Sequence, residues 1–458
     1  MSVRSDADVV ICGAGIAGAA AAYFLAVEHG QKHVCLVDEG PPLSLTSDKS
    51  TECYRNWWPG PGSAMVDFSN RSIDLLENIA RRTNNRIAMA RRGYVFATGL
   101  DTGVEALRAQ AEAGSALGSG DLREHGASTT SYIPHTESGW ENSPAGIDLL
   151  TDPKLIQQHF PGFSKDTKGL LHVRRCGWLT AQQLGAWYLE EARAAGARIV
   201  SGKLVQVDRA GGRVAGVTIA GEQGEHTINT ERLVLSPGPY LHGVGQLLGL
   251  DLPVYCEGHV KVVLRDTKNG MPADSPLVLW MDPVRLPWSD EEREALAEDT
   301  SMRYLLDEFP GGVHGRPTGA AGHHYALMLW TYDVHKAAPT FPMAWDPHMP
   351  EIIIRGISRM LPGMNAYLDA LPKTEVDGGY YCKTPENRPL VGPLPVEGAY
   401  VNAAYSGYGI MTSCAGGELI ANHIMGATLP SYADALLPSR FDEPNYLDEF
   451  ADATAGQM

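Results

Sequence analysis

The chain has 458 residues, 44% hydrophobic and 20% charged, the composition of an ordinary folded protein. Its formal net charge of −17 argues against nucleic acid and anionic membranes as partners, and no apolar run reaches the ~18 residues of a membrane helix. Its seven cysteines show neither a C-x-x-C nor a zinc spacing, so no metal is expected and a reduced, cytoplasmic setting is.

Residues 1–6 carry no apolar signal segment before the first strand, which agrees with that location. The chain is organised around residues 7–40. Asp8-Val9-Val10-Ile11-Cys12 reads as a buried strand, with Cys12 and later Cys35 as core hydrophobes. Gly13-Ala14-Gly15-Ile16-Ala17-Gly18 follows at once, then a small, apolar helix over 19–27. A second strand, 33–37, ends on Asp38-Glu39. This is a β-α-β unit with a dinucleotide fingerprint in its first turn. Gly13 permits the tight turn, Gly15 lets a pyrophosphate approach the backbone, and Gly18 lets helix and strand pack closely. The N–H groups opening the helix, at Ile16 and Ala17, and its dipole suit phosphate. Asp38 and Glu39 are placed for a ribose. An acid rather than an arginine there favours NAD or FAD over NADP.

After a Gly40-Pro41-Pro42 turn the chain is dense in hydroxyls. Thr46, Ser47, Ser50 and Thr51 suit a pyrophosphate or a flavin edge. Arg55 precedes Trp57-Trp58, and two roles stand open for it: anchor of a substrate carboxylate, or partner in a structural ion pair. An amphipathic helix is expected over 68–81, a strand over 93–98, a helix over 104–114 and a polar loop over 115–148. Next come a helix over 181–195, strands over 197–207 and a hairpin or meander over 213–230. Leu233-Val234-Leu235 is a buried strand closed by Ser236-Pro237-Gly238. The acidic run 290–299 reads as a solvated helix face. His323-His324 precede a strand over 325–332. Adjacent histidines on a strand face opposite ways and make a poor metal pair. A helix over 351–360 and a strand over 400–404 follow. Tyr405-Ser406-Gly407-Tyr408-Gly409-Ile410-Met411 then opens a helix that runs to about Met425. Residues 442–458 read as an acidic, frayed tail.

Several of these passages together resemble the D-amino-acid oxidase superfamily of FAD enzymes, nearest in pattern to its sarcosine oxidase, dimethylglycine dehydrogenase and glycine oxidase group. They are the Ser/Thr loop after the nucleotide unit, Phe160-Pro161-Gly162-Phe163, the glycine turn after Leu235, Thr384-Pro385-Glu386, Ser406-Gly407-Tyr408-Gly409 and the ending at Phe441. The resemblance covers residues 7–441 and is weakest at 115–148 and 267–318. It departs from the family's pattern at Cys176-Gly177, where relatives have Asp-Gly, at Tyr408 for a histidine and at Met411 for a carboxylate-holding lysine.

The resemblance implies an α/β fold, with a discontinuous Rossmann-type FAD-binding domain and an inserted α+β substrate domain on an antiparallel sheet. The FAD domain is expected over 1–98, 181–253 and 373–441, and the substrate domain over 99–180 and 254–372. It also implies FAD contacts from the Ser/Thr loop, Val205, Ser236, Gly238, Gly407, Tyr408, Gly409, Ile410 and Met411. Non-covalent FAD is expected, because the tether position of sarcosine oxidases falls on Gly379 and Cys382 lies on the other strand face; Cys53 is the alternative tether. Arg55, Tyr408, His259 and Lys261 are the candidates for substrate contact.

The activity so implied is oxidation of the C–N bond of an amine or amino acid, a secondary or N-substituted amino acid foremost. Hydride passes to flavin N5, and O2 is the acceptor that yields H2O2. Alternatives are a dehydrogenase of an amine or 2-hydroxy acid with another acceptor, a flavin monooxygenase, and a non-catalytic FAD subunit. Residues 387–392 lack the Gly-Asp pair that a monooxygenase would show. The partners are thus a small molecule and an electron acceptor, and a homo-oligomer is compatible with the sequence.

Overall fold

A computed structural model describes residues 5–58, 60–127, 131–136, 139–319 and 323–450. Among these residues the strands build two large sheets. The first has six strands in the order Leu390–Pro393, Ala399–Ala403, Leu233–Leu235, Val9–Cys12, Val34–Asp38 and Arg198–Ser201. All but the first run parallel. Val9–Cys12 is central and buried along its whole length, as a parallel strand covered on both faces must be. One face carries the helices Ile16–Tyr23, Ala64–Arg82, Ala181–Ala194 and Gly409–Met425, packed through Ala19, Phe68, Leu184 and Leu419. The other carries a meander of Lys203–Ala210, Arg213–Gly221 and Gly224–Asn229, whose Val207 and Val217 meet Val10 and Cys35. The first helix begins at Ile16, earlier than the expected Ala19, so its opening turn lies inside the glycine motif.

The second sheet has nine strands in the order Thr374–Lys383, Tyr255–Arg265, Tyr325–Leu329, His314–Thr318, Leu277–Trp280, Tyr94–Thr98, Gly169–Val173, Ile147–Leu150 and Leu122–His125. It is mostly antiparallel, with two parallel pairs. Tyr94–Thr98 and Thr374–Lys383, which the sequence division put with the nucleotide unit, both pair into this sheet. The stretch read as loop over 115–148 supplies the edge strand Leu122–His125 and the start of its neighbour. A short ladder joins Cys53–Arg55 to Cys176–Trp178, two stretches for which the sequence offered no strand. In the tail, Tyr446–Phe450 forms a turn with Tyr446 against Phe441, so order extends beyond 442; residues 451–458 lie outside the described ones.

Strand alternation gives the nine-stranded sheet two unlike faces. One packs Val262, Val278, Trp280 and Met328 against the helix Met349–Ser358. On the other, register lines up Phe96, Leu279, His314, Leu329 and Lys261 across successive strands. His259 shares that face, two residues before Lys261. The acidic helix Asp290–Glu298 buries none of its residues and is held by a capping box from Ser289 and Glu292, in line with a solvated face. Among the described residues no helix is long and apolar enough to cross a membrane.

Candidate active site

The glycine motif opens into a cleft with about 910 Å³ of free space, part of it open to solvent, which is lined by Asp38, the Ser/Thr loop and the turn before Gly409. Gly13 has φ +106°, and a methyl group there would stand 2.1 Å from the Ser236 carbonyl oxygen. A methyl on Gly18 would stand 2.0 Å from the Gly13 carbonyl oxygen. Gly15 differs: its added carbon meets only Ser47 Oγ, at 3.3 Å, and otherwise points into the cleft. The turn is braced by Asp38, whose carboxylate accepts from the N–H of Ala14 at 2.7 Å and of Gly40 at 2.9 Å. Ser47 Oγ accepts from the Ile16 N–H at 3.0 Å.

Of the residues picked out for cofactor, Gly13, Gly15, Ile16, Ala17, Asp38, Thr46, Ser47, Ser50, Ser236, Gly238, Gly407, Gly409 and Ile410 line the cleft. Gly18, Glu39, Thr51, Val205, Tyr408 and Met411 do not. Gly18 packs on its own strand, and Glu39 turns toward Lys203 at 3.7 Å. Thr51 offers its carbonyl to the buried Arg316 at 2.8 Å. Val205 sits in the meander, and Met411 is in the helical core. Tyr381 and Ser406 line the cleft without having been singled out, and so does Cys382, which the sequence reading had set on the other strand face from the tether position. Ser406 Oγ is buried and has no hydrogen-bond partner among the described residues. A polar atom left so in a cleft wall fits a polar ligand edge. With the open space over Gly15 and the hydroxyl-lined loop, the cleft fits a dinucleotide.

Beyond Gly407 lies a second group of side chains. Arg55 is 2% exposed, with its guanidinium carbon 4.8 Å from the Trp58 ring centre and 5.6 Å from that of Tyr408. The Tyr381 ring rests on Gly407 and stacks on His259 with ring centres 4.0 Å apart and planes at 16°. His259 lies 3.5 Å from the Glu257 carboxylate, which pairs with Lys383 at 2.7 Å. Burial pushes the Glu257 carboxyl up, but the bonds from His259 and Lys383 prevail and hold it at about 2. Burial lowers His259, and burial raises Tyr408.

His314 shares the His259 face and was not anticipated. Burial, then the charges of Arg55 and His259, bring its pKa down to about 4. Its Nδ1 lies 2.9 Å from the Gly312 carbonyl oxygen. A carbonyl can only accept, so Nδ1 carries the proton and Nε2 keeps its lone pair. The structure therefore gathers Arg55, Tyr408 and His259 with His314. Lys261 stands apart, with Nζ 3.2 Å from the Ser50 carbonyl oxygen and 3.8 Å from Asp377, where it holds the hydroxyl-rich loop. Cys53 donates to the Thr51 carbonyl at 3.2 Å and packs with Trp57 and Tyr94, away from the cleft. The Thr384-Pro385-Glu386 turn is fixed by a fully buried carboxylate, since Glu386 accepts from Arg440 Nε at 2.9 Å.

The chain matches the model of a protein family described as FAD dependent oxidoreductase over residues 8–423. Among solved structures it is similar to L-proline dehydrogenase from P. horikoshii, with a TM-score of 0.72 and 18% identity, covering 96% of this chain and 99% of that one. Glycine oxidase from Bacillus cereus aligns with a TM-score of 0.68 and 17% identity, covering 94% and 98%. Iminodiacetate oxidase from Chelativorans sp. BNC1 aligns with a TM-score of 0.67 and 16% identity, covering 94% and 98%.

Proposed function

We propose, from the premise that this chain belongs to the family of FAD-dependent oxidoreductases and carries FAD as its cofactor, that it oxidises the C–N bond of an amine or amino acid, foremost a secondary or N-substituted amino acid. FAD, when bound, supplies the acceptor for the two electrons. The observation that carries the reading is Arg55, buried, set against the paired rings of Trp58 and Tyr408 and grouped with the neutral His314.

The chain's own groups divide the work. Arg55 holds the substrate carboxylate with its planar fork. His314 Nε2 accepts the proton that the substrate ammonium must lose before the carbon–nitrogen bond is oxidised. His259 and Tyr381 wall the site next to the cofactor cleft, and Phe96, Leu279 and Leu329 supply an apolar face that keeps water out. FAD is held without a covalent tether, in keeping with a Cys53 that packs away from the cleft.

Oxygen is the final acceptor in this reading, with hydrogen peroxide as product. The fold shared with a glycine oxidase and an iminodiacetate oxidase supports it. A second reading keeps the site and replaces oxygen by another acceptor; the likeness to an L-proline dehydrogenase supports that one.

Anaerobic mixing with N-methyl amino acids, cyclic amines, D- and L-amino acids and 2-hydroxy acids tests the reading. Loss of the flavin absorbance band with a secondary amino acid is expected. Bleaching by a 2-hydroxy acid alone, or by no compound, overturns it. Admitting air then separates the acceptors, since an oxidase regains the band and releases peroxide.

A further inference from the structure

Cys256 and Cys382 stand directly opposite one another on the strands Tyr255–Arg265 and Thr374–Lys383. Among the described cysteines, no other two face each other across a ladder. Both are nearly buried, at 8% and 7% exposure. The Cys256 carbonyl accepts from the Ala337 N–H at 2.9 Å, and the Cys382 carbonyl from the Ser406 N–H at 3.0 Å. Both carbonyls thus point away from the shared ladder, which makes this a non-hydrogen-bonded pair.

That detail decides the geometry. In such pairs the α-carbons approach to about 4.5 Å and the side chains lie closest. A disulfide needs an α-carbon separation of about 4.4–6.8 Å, so these two thiols can be joined without moving either strand. Cys382 also lines the cofactor cleft, so the pair stands in the cleft wall. Cys256 Sγ donates to the carbonyl of Pro239, another residue of the cleft wall, at 3.3 Å.

We propose that Cys256 and Cys382 are a reversible dithiol–disulfide pair in the wall of the FAD cleft, closed by hydrogen peroxide and reopened by small thiols. Peroxide oxidises one thiol of the pair, Cys256 or Cys382, to a sulfenic acid and leaves as one water. The other sulfur then attacks the sulfenic sulfur, the S–S bond forms, and the S–OH oxygen leaves as a second water with that thiol's proton. Two thiols are oxidised by two electrons and one peroxide is reduced. Two equivalents of an external thiol reverse the reaction by exchange. On the oxidase reading above, the pair stands beside the place where peroxide is released.

The test uses the purified, FAD-bound full chain without substrate and with added hydrogen peroxide, so it does not depend on turnover. Alkylation followed by peptide mapping should show two fewer reactive thiols of the seven and one cross-link between the Cys256 and Cys382 peptides. Dithiothreitol should restore both. Cys256→Ala and Cys382→Ala should each abolish the cross-link, while Cys53→Ala should form it as the parent does. If both cysteines stay alkylatable, if they accumulate separate sulfinic acids, or if Cys382 links elsewhere, the proposal is overturned.

Discussion

The Arg55 guanidinium carbon lies 4.8 Å from the ring centre of Trp58, three residues along the same chain. Tyr408, from the turn opening the last long helix, takes a place 5.6 Å away. The two rings meet edge to face, with centres 4.6 Å apart and planes at 88°, and together they fix the place of one planar cation before a ligand arrives, so that it loses little freedom on binding.

Arg55→Lys tests what that orientation is for. Lysine keeps the charge but lacks the two-pronged geometry for a carboxylate. A charge-assisted hydrogen bond contributes roughly 1.5–3 kcal/mol, so the half-saturating substrate concentration should rise on the order of 10- to 100-fold. Flavin content should stay unchanged. Steady-state kinetics with the substrate and its carboxamide give the check. Equal losses for both compounds, or none, would mean that Arg55 holds no carboxylate.

Gly13 and Gly15 should fail differently. Alanine at Gly13 meets backbone at 2.1 Å with φ at +106°, two strains that no side-chain movement relieves. That variant should not accumulate as folded protein. The first side-chain carbon at Gly15 meets only the Ser47 hydroxyl, at 3.3 Å, and the methyl groups of a valine would extend from it toward the cleft that Gly15 lines. Gly15→Val should fold and be colourless. Circular dichroism with flavin absorbance separates the two outcomes, and a yellow Gly15→Val protein would remove the pyrophosphate from this turn.

That glycine turn was readable from sequence because its whole logic is local: strand, turn, helix and acid succeed one another within one β-α-β unit. The large sheet was less so. Leu122-Arg123-Glu124-His125 is an edge strand whose middle is charged, so no apolar alternation announces it, and Arg123 instead reaches the buried Asp148 at 2.7 Å. His314 was missed for a related reason. His314-Gly315-Arg316-Pro317-Thr318 contains a glycine and a proline and reads as a loop. Pairing explains how it serves as a strand: Leu277–Trp280 bonds only at His314 and Gly315, so Pro317 lies past that neighbour, where its missing N–H leaves no ladder bond unmade. Lys261 shares a strand face with His259, yet the fold of the Ser/Thr loop, a long-range matter, turns it to a structural task.

The Glu386–Arg440 pair should be a large contributor to folding. Both side chains are almost fully buried, at 0% and 3% exposure, and the pair ties the 384–388 turn to the turn Pro438–Asp442. Removing one partner leaves a buried charge without compensation, which costs about 3–5 kcal/mol. Arg440→Met should lower the urea midpoint accordingly. The double variant Glu386→Gln with Arg440→Met should recover part of the loss. A double variant as unstable as Arg440→Met alone would show that packing around Arg440, and not its charge, is what counts.

His314 makes a prediction about acid. In the folded chain its pKa is about 4, against 6.5 for the free group, because burial and then Arg55 and His259 disfavour a further positive charge. The unfolded chain therefore binds a proton between pH 6.5 and 4 that the folded chain refuses. Stability rises with pH wherever the unfolded state binds more protons, so this contribution is full above pH 6.5 and is lost as pH falls toward 4. At 1.36 kcal/mol per unit, the depression corresponds to roughly 3 kcal/mol. Burial lowers His135, His172 and His259 as well, so the parent protein's slope belongs to several groups. The difference between parent and His314→Gln isolates one. Glutamine can still donate to the Gly312 carbonyl but cannot titrate. Urea unfolding at several values between pH 4 and 7 should show the variant losing less stability on acidification than the parent. Parallel curves would mean that His314 titrates alike in the folded and unfolded chain, and a variant that loses more than the parent would mean that His314 is already protonated in the folded chain and could not accept the substrate's proton.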